Sequence, residues 1–180
     1  DAGIKSWVKV PDRKEVWWSD VEPTGSNEVK LRVWYLDIEV IAEGGVPRPN
    51  DPTSPVVAFT IYDSYSAKYL STILIAGREE FTKEEDRLTY IVPSEENLLR
   101  TFSGLLSKLD PDVIVGWNVD FDLDYLKSRC AVYGINLDYS RFERFDLLEA
   151  YKRIFTQPSY RLKEVGRVEG IADVERELLP

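Results

Sequence analysis

Asp37, Ile38 and Glu39 form the first arrangement in this sequence with evident chemical potential. They lie within Leu31–Val40, a run of β-branched and aromatic residues that reads as a strand. Side chains alternate along a strand, so Asp37 and Glu39 face one side while Leu36, Ile38 and Val40 turn to the core. Two carboxylates that project together repel, and a divalent cation is the natural compensator. The competing interpretation is the solvent-facing edge of an amphipathic strand. Asp suits strand interiors poorly, however, and the flanks here are heavily apolar.

The second arrangement runs through Val113-Ile114-Val115-Gly116-Trp117-Asn118-Val119-Asp120-Phe121-Asp122-Leu123-Asp124. A short buried strand that turns directly into a helix presents polar groups at the end of a sheet. If helix follows at once after Trp117, Asn118 and Asp122 are four apart and share a face. Asp120 and Asp124 fall on other faces, where acidic residues in a first turn suit the helix dipole.

These residues need a scaffold, and the chain supplies one. After the strand at 31–40 comes a loop rich in Gly and Pro, from Glu43 to Pro55. Val56–Tyr62 and Tyr69–Ile75 are further strands joined by a turn at Asp63–Ser66, which makes an antiparallel meander. Val33, Leu36, Ile38, Val40, Val57, Phe59 and Ile61 are its expected core residues. Ser94 N-caps a helix whose apolar stripe is Leu98, Phe102, Leu105, Leu106 and Leu109, and which Asp110-Pro111 ends. A second helix runs from about Phe121 to Tyr133, closed by Gly134. A short strand near Phe145, a helix over Leu147–Phe155 and a short helix at Leu162–Val165 follow. Strands first, then helix alternating with strand, imply an α/β fold: a mixed sheet of antiparallel meander plus parallel strands, flanked by helices. Residues 1–28, with an alternating stretch at Ile4–Val10 and a turn at Pro23–Asn27, read as a lead-in segment outside this core. The principal domain spans 29–180.

Composition narrows the chemistry. The 180 residues contain no His, which excludes histidine-based triads, His-ligated zinc and any nuclease with a histidine base. Catalysis would have to run on carboxylates, tyrosine, lysine and hard metal ions. The net charge of -9 argues against a protein that coats duplex DNA nonspecifically, but not against one that grips a strand end with bound cations. The single cysteine, Cys130, has no partner for an internal disulfide and reads as a buried structural thiol in an intracellular protein. The absence of Met points to a piece of a longer or processed chain. No apolar run approaches the roughly 20 residues that cross a bilayer, so no membrane association is expected.

Asp37-Ile38-Glu39 resembles the first exonuclease motif of family B DNA polymerases. Asn118-Val119-Asp120-Phe121-Asp122 is similar to their second motif, an Asn, two or three intervening residues, then an aromatic residue and Asp. Trp18-Ser19-Asp20-Val21-Glu22-Pro23 resembles the segment that leads into their exonuclease domain. The stretch Asp37–Asp63, with its Gly-Gly-Val-Pro insert and Ile-Tyr-Asp ending, is similar to the phage-type branch. Phe145-Asp146-Leu147 and Tyr160–Val165 resemble the strand and helix after the second motif. The likeness covers nearly the whole chain in family order. The third motif, Tyr-x₃-Asp, is not met before Pro180. Tyr160-x₃-Glu164 has its spacing with the wrong acid, at the place of an earlier structural helix. Tyr151 and Asp146 also read as structural.

The resemblance implies a ribonuclease-H-like fold and a proofreading 3′→5′ exonuclease domain, C-terminally incomplete. Such a domain hydrolyses the 3′-terminal phosphodiester of single-stranded or frayed DNA with a pair of Mg²⁺ or Mn²⁺ ions. By the same resemblance Asp37, Glu39 and Asp122 are the catalytic metal ligands, with Asp37 bridging the ions. Asn118 and Phe121 contact the DNA. The remaining polymerase domains would be partners of this one, and the chain alone is expected to be weak or inactive. Two alternatives are a catalytically silent module that positions DNA, and a free-standing DEDD-type exonuclease.

Overall fold

The computed structural model describes residues 7–24, 30–42 and 47–171. The Gly-Gly stretch at 43–46, the turn residues 25–27 and the first residues of the expected N-terminal strand lie outside them. The chain divides into two compact units, Asp1–Leu31 and Arg32–Pro180. In the first, β1 (Trp7–Lys9) pairs antiparallel with β2 (Glu22–Thr24), with Val8 opposite Pro23. Between them a 3-10 turn spans Trp18–Asp20, and the Asp20 carboxylate accepts from the Trp17 N–H at 3.1 Å and pairs with Arg13.

The second unit is a seven-stranded mixed sheet. Its strands are β3 (Val33–Val40), β4 (Val56–Asp63), β5 (Lys68–Leu74), β6 (Glu80–Lys83), β7 (Arg87–Val92), β8 (Val113–Gly116) and β9 (Glu143–Asp146). They lie in the order β6-β7-β5-β4-β3-β8-β9. The β3–β4–β5 meander is antiparallel, whereas β5–β7, β3–β8 and β8–β9 are parallel pairs. This is the expected α/β mixed sheet, in keeping with the ribonuclease-H-like exonuclease fold. β6 and β7 lie outside the expected elements; every residue of β6 is exposed, so its sequence carries no burial alternation to read.

Helices α1 (Glu95–Leu109) and α2 (Val119–Val132) cover one face of the sheet, as expected. Ser94 caps α1 by accepting from the Asn97 N–H at 3.3 Å. Trp34, Leu36 and Ile38 of β3, Phe59 and Ile61 of β4, and Leu98, Leu99, Phe102, Leu123 and Leu126 of the helices form one buried cluster. Phe59 and Phe102 meet edge to face at 5.3 Å. Val40 is half-buried against this core, and Val33 is half-buried. Val57 is half-buried and lies outside the core cluster. Glu39 pairs with Ala58 but Val40 with Val56, so Val57 is the extra residue of a bulge, and Val56 takes the core position instead. Two shorter helices, α3 (Leu147–Ile154) and α4 (Leu162–Val168), complete the described elements. Among the described residues no helix is long and apolar enough to cross a membrane.

A buried ion pair ties the helices to the sheet. The Glu95 carboxylate receives Arg129, the Tyr133 hydroxyl at 2.9 Å and the Val56 N–H at 2.9 Å. Burial pushes Glu95 upward, but these donors outweigh it and hold its pKa below the ordinary value. Cys130 is fully buried and burial, with the Glu95 charge, lifts its thiol to about 12, consistent with an inert structural thiol.

Candidate exonuclease active site

The site forms where three parallel strands end. β3 pairs with β8 only over Val33–Tyr35, so its last residues run on past the point where β8 stops at Gly116. β9 ends level with it, Asp146 opposite Gly116. The carboxyl ends of parallel strands, where neighbouring connections leave the sheet, form a natural crevice.

β3 alternates as the sequence predicts. Trp34, Leu36 and Ile38 are buried, and Tyr35, Asp37 and Glu39 stand on the open face. Directly opposite Asp37 on β4 is Thr60, and opposite Tyr35 is Tyr62. Tyr35, Tyr62 and Tyr69 form a cross-strand row with ring centroids 6.0 and 5.0 Å apart. Together with Asp37 and Thr60 they line an open groove of about 470 Å³.

Asp122 reaches the same region from the first turn of α2. Gly116 makes the approach possible: a Cβ there would lie 2.8 Å from the Leu36 carbonyl oxygen and 3.1 Å from the Val119 side chain. Only a glycine lets β8 turn so tightly against β3 and α2. Asn118 follows in the left-handed conformation, φ 67°, ψ 40°, as the N-cap of α2. It thus lies just outside the helix, which begins at Val119, and the expected sharing of a helical face with Asp122 does not apply. Its exposed side chain makes no capping bond. Its N–H donates instead to Asp146 Oδ1 at 3.2 Å.

Asp122 is only 7% exposed. Burial and the charges of Asp37, Asp146 and Glu39 push its pKa up to about 8, and no hydrogen bond among the described residues offsets them. Among the described residues, every fully enclosed side-chain N or O has a partner, so the unpartnered Asp122 oxygens keep an opening to the crevice. Asp37 is also raised, first by burial and then by Glu39. Four acids therefore share one electrostatic neighbourhood. As they stand, no three acidic or thiol side chains among the described residues converge closely enough to hold a metal ion.

The remaining candidates divide cleanly. Phe121 is half-buried and stacks on Tyr125 at 5.6 Å and 25°. Asp120 and Asp124 both bind Arg144, at 3.2 and 3.1 Å. Tyr160 precedes α4, so it shares no helical face with Glu164; its hydroxyl donates to the Phe155 carbonyl at 3.2 Å. Tyr151 bonds Glu169 and Gln157. Residue patterns leave Asp146 as a structural acid, and it does cap α3, yet its charge is also one of those that raise Asp122. Its position at the end of a strand and the start of a helix was the available signal.

A family model for the family B DNA polymerase exonuclease domain matches residues 13–145. The chain belongs to this family. It is 27% identical over 195 residues to a DNA polymerase delta catalytic subunit of Mesocricetus auratus, covering 90% of this chain and 16% of that protein. It is 33% identical over 146 residues to the delta catalytic subunit of Candida albicans, covering 74% and 13%. It is 27% identical over 126 residues to a DNA-directed DNA polymerase of Escherichia phage RB69, covering 57% and 14%. The chain thus spans less than a fifth of the length of these relatives. The matched family region takes in both β3 with its paired acids and the Asn118–Asp122 turn of this exonuclease domain.

Proposed function

We propose that the crevice is a 3′→5′ exodeoxyribonuclease site that removes the terminal nucleotide from a single-stranded or frayed 3′ end. In this reading it proofreads for a family B DNA polymerase whose remaining domains are its partners. The observation that carries the reading is Asp122, a buried carboxylate set among Asp37, Glu39 and Asp146 with no hydrogen-bond donor among the described residues to neutralise it. A purely structural acid would be destabilising there. All of the candidate donors are hard carboxylate oxygens, which fits Mg²⁺ or Mn²⁺ and no softer ion.

Asp37, Glu39 and Asp122 would hold a pair of such ions. Bound there, the ions would supply a hydroxide at neutral pH and charge stabilisation for the leaving 3′ oxygen. The chain's own residues do the rest. Asn118, exposed at the turn with its carboxamide in no capping bond, offers hydrogen bonds to the terminal nucleotide. Phe121, locked against Tyr125, presents a rigid apolar edge beside a base. The Asp122 carboxylate must give up its proton before it can ligate.

A second reading, a silent module that positions DNA, draws support from the absence, among the described residues, of three acids already converged as ligands. One experiment separates the two. The polymerase that carries this chain should degrade a 3′ single strand with Mg²⁺ or Mn²⁺, and remove a mismatched end faster than a paired one. Replacing Asp37 and Glu39 by Ala should abolish this and leave synthesis largely intact. Absence of degradation with either metal, in the unaltered protein, selects the silent module.

A further inference from the structure

We propose that Asp146 is a positioning residue for this site: its Oδ1 sets where α2 begins, and so where Asp122 is delivered. The inference rests on the carboxylate-site reading above. A helix cap needs only the first-turn N–H groups, and Asp146 supplies that function, accepting from Leu148 at 2.8 Å and Glu149 at 3.2 Å. The same oxygen also accepts from Asn118, 28 residues earlier and on a different connection. That third bond plays no part in capping α3.

Its value lies in what Asn118 lacks. As the N-cap of α2, Asn118 has a backbone N–H that no helical carbonyl can take. It sits in the left-handed region, which few residues other than Gly and Asn adopt. Two other contacts hold the turn: the close approach of Gly116 to β3, and the Trp117 Nε1–H donating to the Tyr160 carbonyl at 3.0 Å. Asp146 closes the remaining side. Asp122 is four residues further on, one helical turn, so a shift in the turn is carried directly into its carboxylate. The pairing of Asp146 with Gly116 at the ends of β9 and β8 makes this support part of the sheet rather than of a loose loop.

The substitutions Asp146→Asn and Asp146→Glu separate geometry from charge. Asn keeps the acceptor oxygen in place and loses the charge; Glu keeps the charge and moves the oxygen outward by a methylene. The full chain is measured for amide-proton exchange at Asn118, Leu148 and Glu149, and for Mn²⁺ binding by electron paramagnetic resonance. Asp146→Glu should lose protection at Asn118 and weaken Mn²⁺ binding about 10- to 100-fold, while Asp146→Asn stays within about threefold of the unaltered chain. The reverse order, with Asn as damaging and Glu harmless, means the charge matters and overturns the proposal. Altered exchange at Leu148 and Glu149 with Mn²⁺ affinity unmoved means that Asp146 is only a cap, and also overturns it. Asp37→Ala is the control for the underlying reading: if it binds Mn²⁺ as tightly as the unaltered chain, the carboxylate site itself is wrong, whatever Asp146 does to the Asn118 amide.

Discussion

A Cβ on Gly116 would lie 2.8 Å from the carbonyl oxygen of Leu36, the residue just before Asp37. The atom it meets is backbone in an interior strand, so it cannot swing aside. Gly116→Ala should therefore push β8 and the start of α2 away from β3. Overpacking of this kind costs about 1–3 kcal/mol, and chemical denaturation should register a loss of that size. The same displacement separates Asp122 from Asp37, so the proposed hydrolysis should fall more than stability alone explains.

Asp63 predicts the acid limit of the fold. Burial pushes this carboxyl upward, but bonds from Arg32 and from the Ser66 hydroxyl and N–H outweigh it and bring it down to about 2. The Trp34 indole also donates to it at 3.1 Å. A depressed carboxyl contributes stability that is complete above its ordinary value of 3.8 and is lost as pH falls through about 2. The contribution is about 2 kcal/mol, at 1.36 kcal/mol for each unit. Asp63→Asn should cost at least about that much near neutral pH, and should flatten the acid limb of a stability–pH curve. An unchanged acid limb would assign that limb to other carboxylates.

Much of this was legible in the residues. The alternation of Trp34 to Glu39 puts the paired acids on the open face, and it does so because each neighbour on the other face is large and apolar. The cap at Ser94 and the stop at Asp110-Pro111 likewise needed only local chemistry. What escaped was set by contacts distant in sequence. Val57 reads as a core residue until the bulge opposite Glu39 and Val40 turns Val56 inward. Asn118 would share a face with Asp122 only if helix followed Trp117 at once, and the residues around it do not show that it instead takes a left-handed cap before Val119. The hold that fixes it, Asp146, lies 28 residues away. Strand β6 offers only exposed side chains, and its existence depends on pairing with β7.

The raised pKa of Asp122 gives the most direct test of the site. Burial, with Asp37, Asp146 and Glu39 around it, lifts the group to about 8 from an ordinary 3.8. An acid raised in the folded state binds its proton more tightly there than in the unfolded chain. The stability it contributes is present below the ordinary value and is lost as pH rises through about 8. Without divalent metal, the chain should therefore weaken progressively from mildly acidic to alkaline pH. Asp122→Asn, which carries no charge to lose, should be the more stable form by at least about 1 kcal/mol at the alkaline end and gain little at the acid end. Metal reverses the preference. A cation must displace the proton, so binding near neutral pH should release close to one proton and should tighten as pH rises. Calorimetry in two buffers of different ionisation enthalpy measures that release. Asp122→Asn should abolish most of it and bind metal more weakly, even though it folds better. Binding with no proton release near neutral pH would mean that Asp122 is already ionised, and that the three acids around it do not act on it as their positions require.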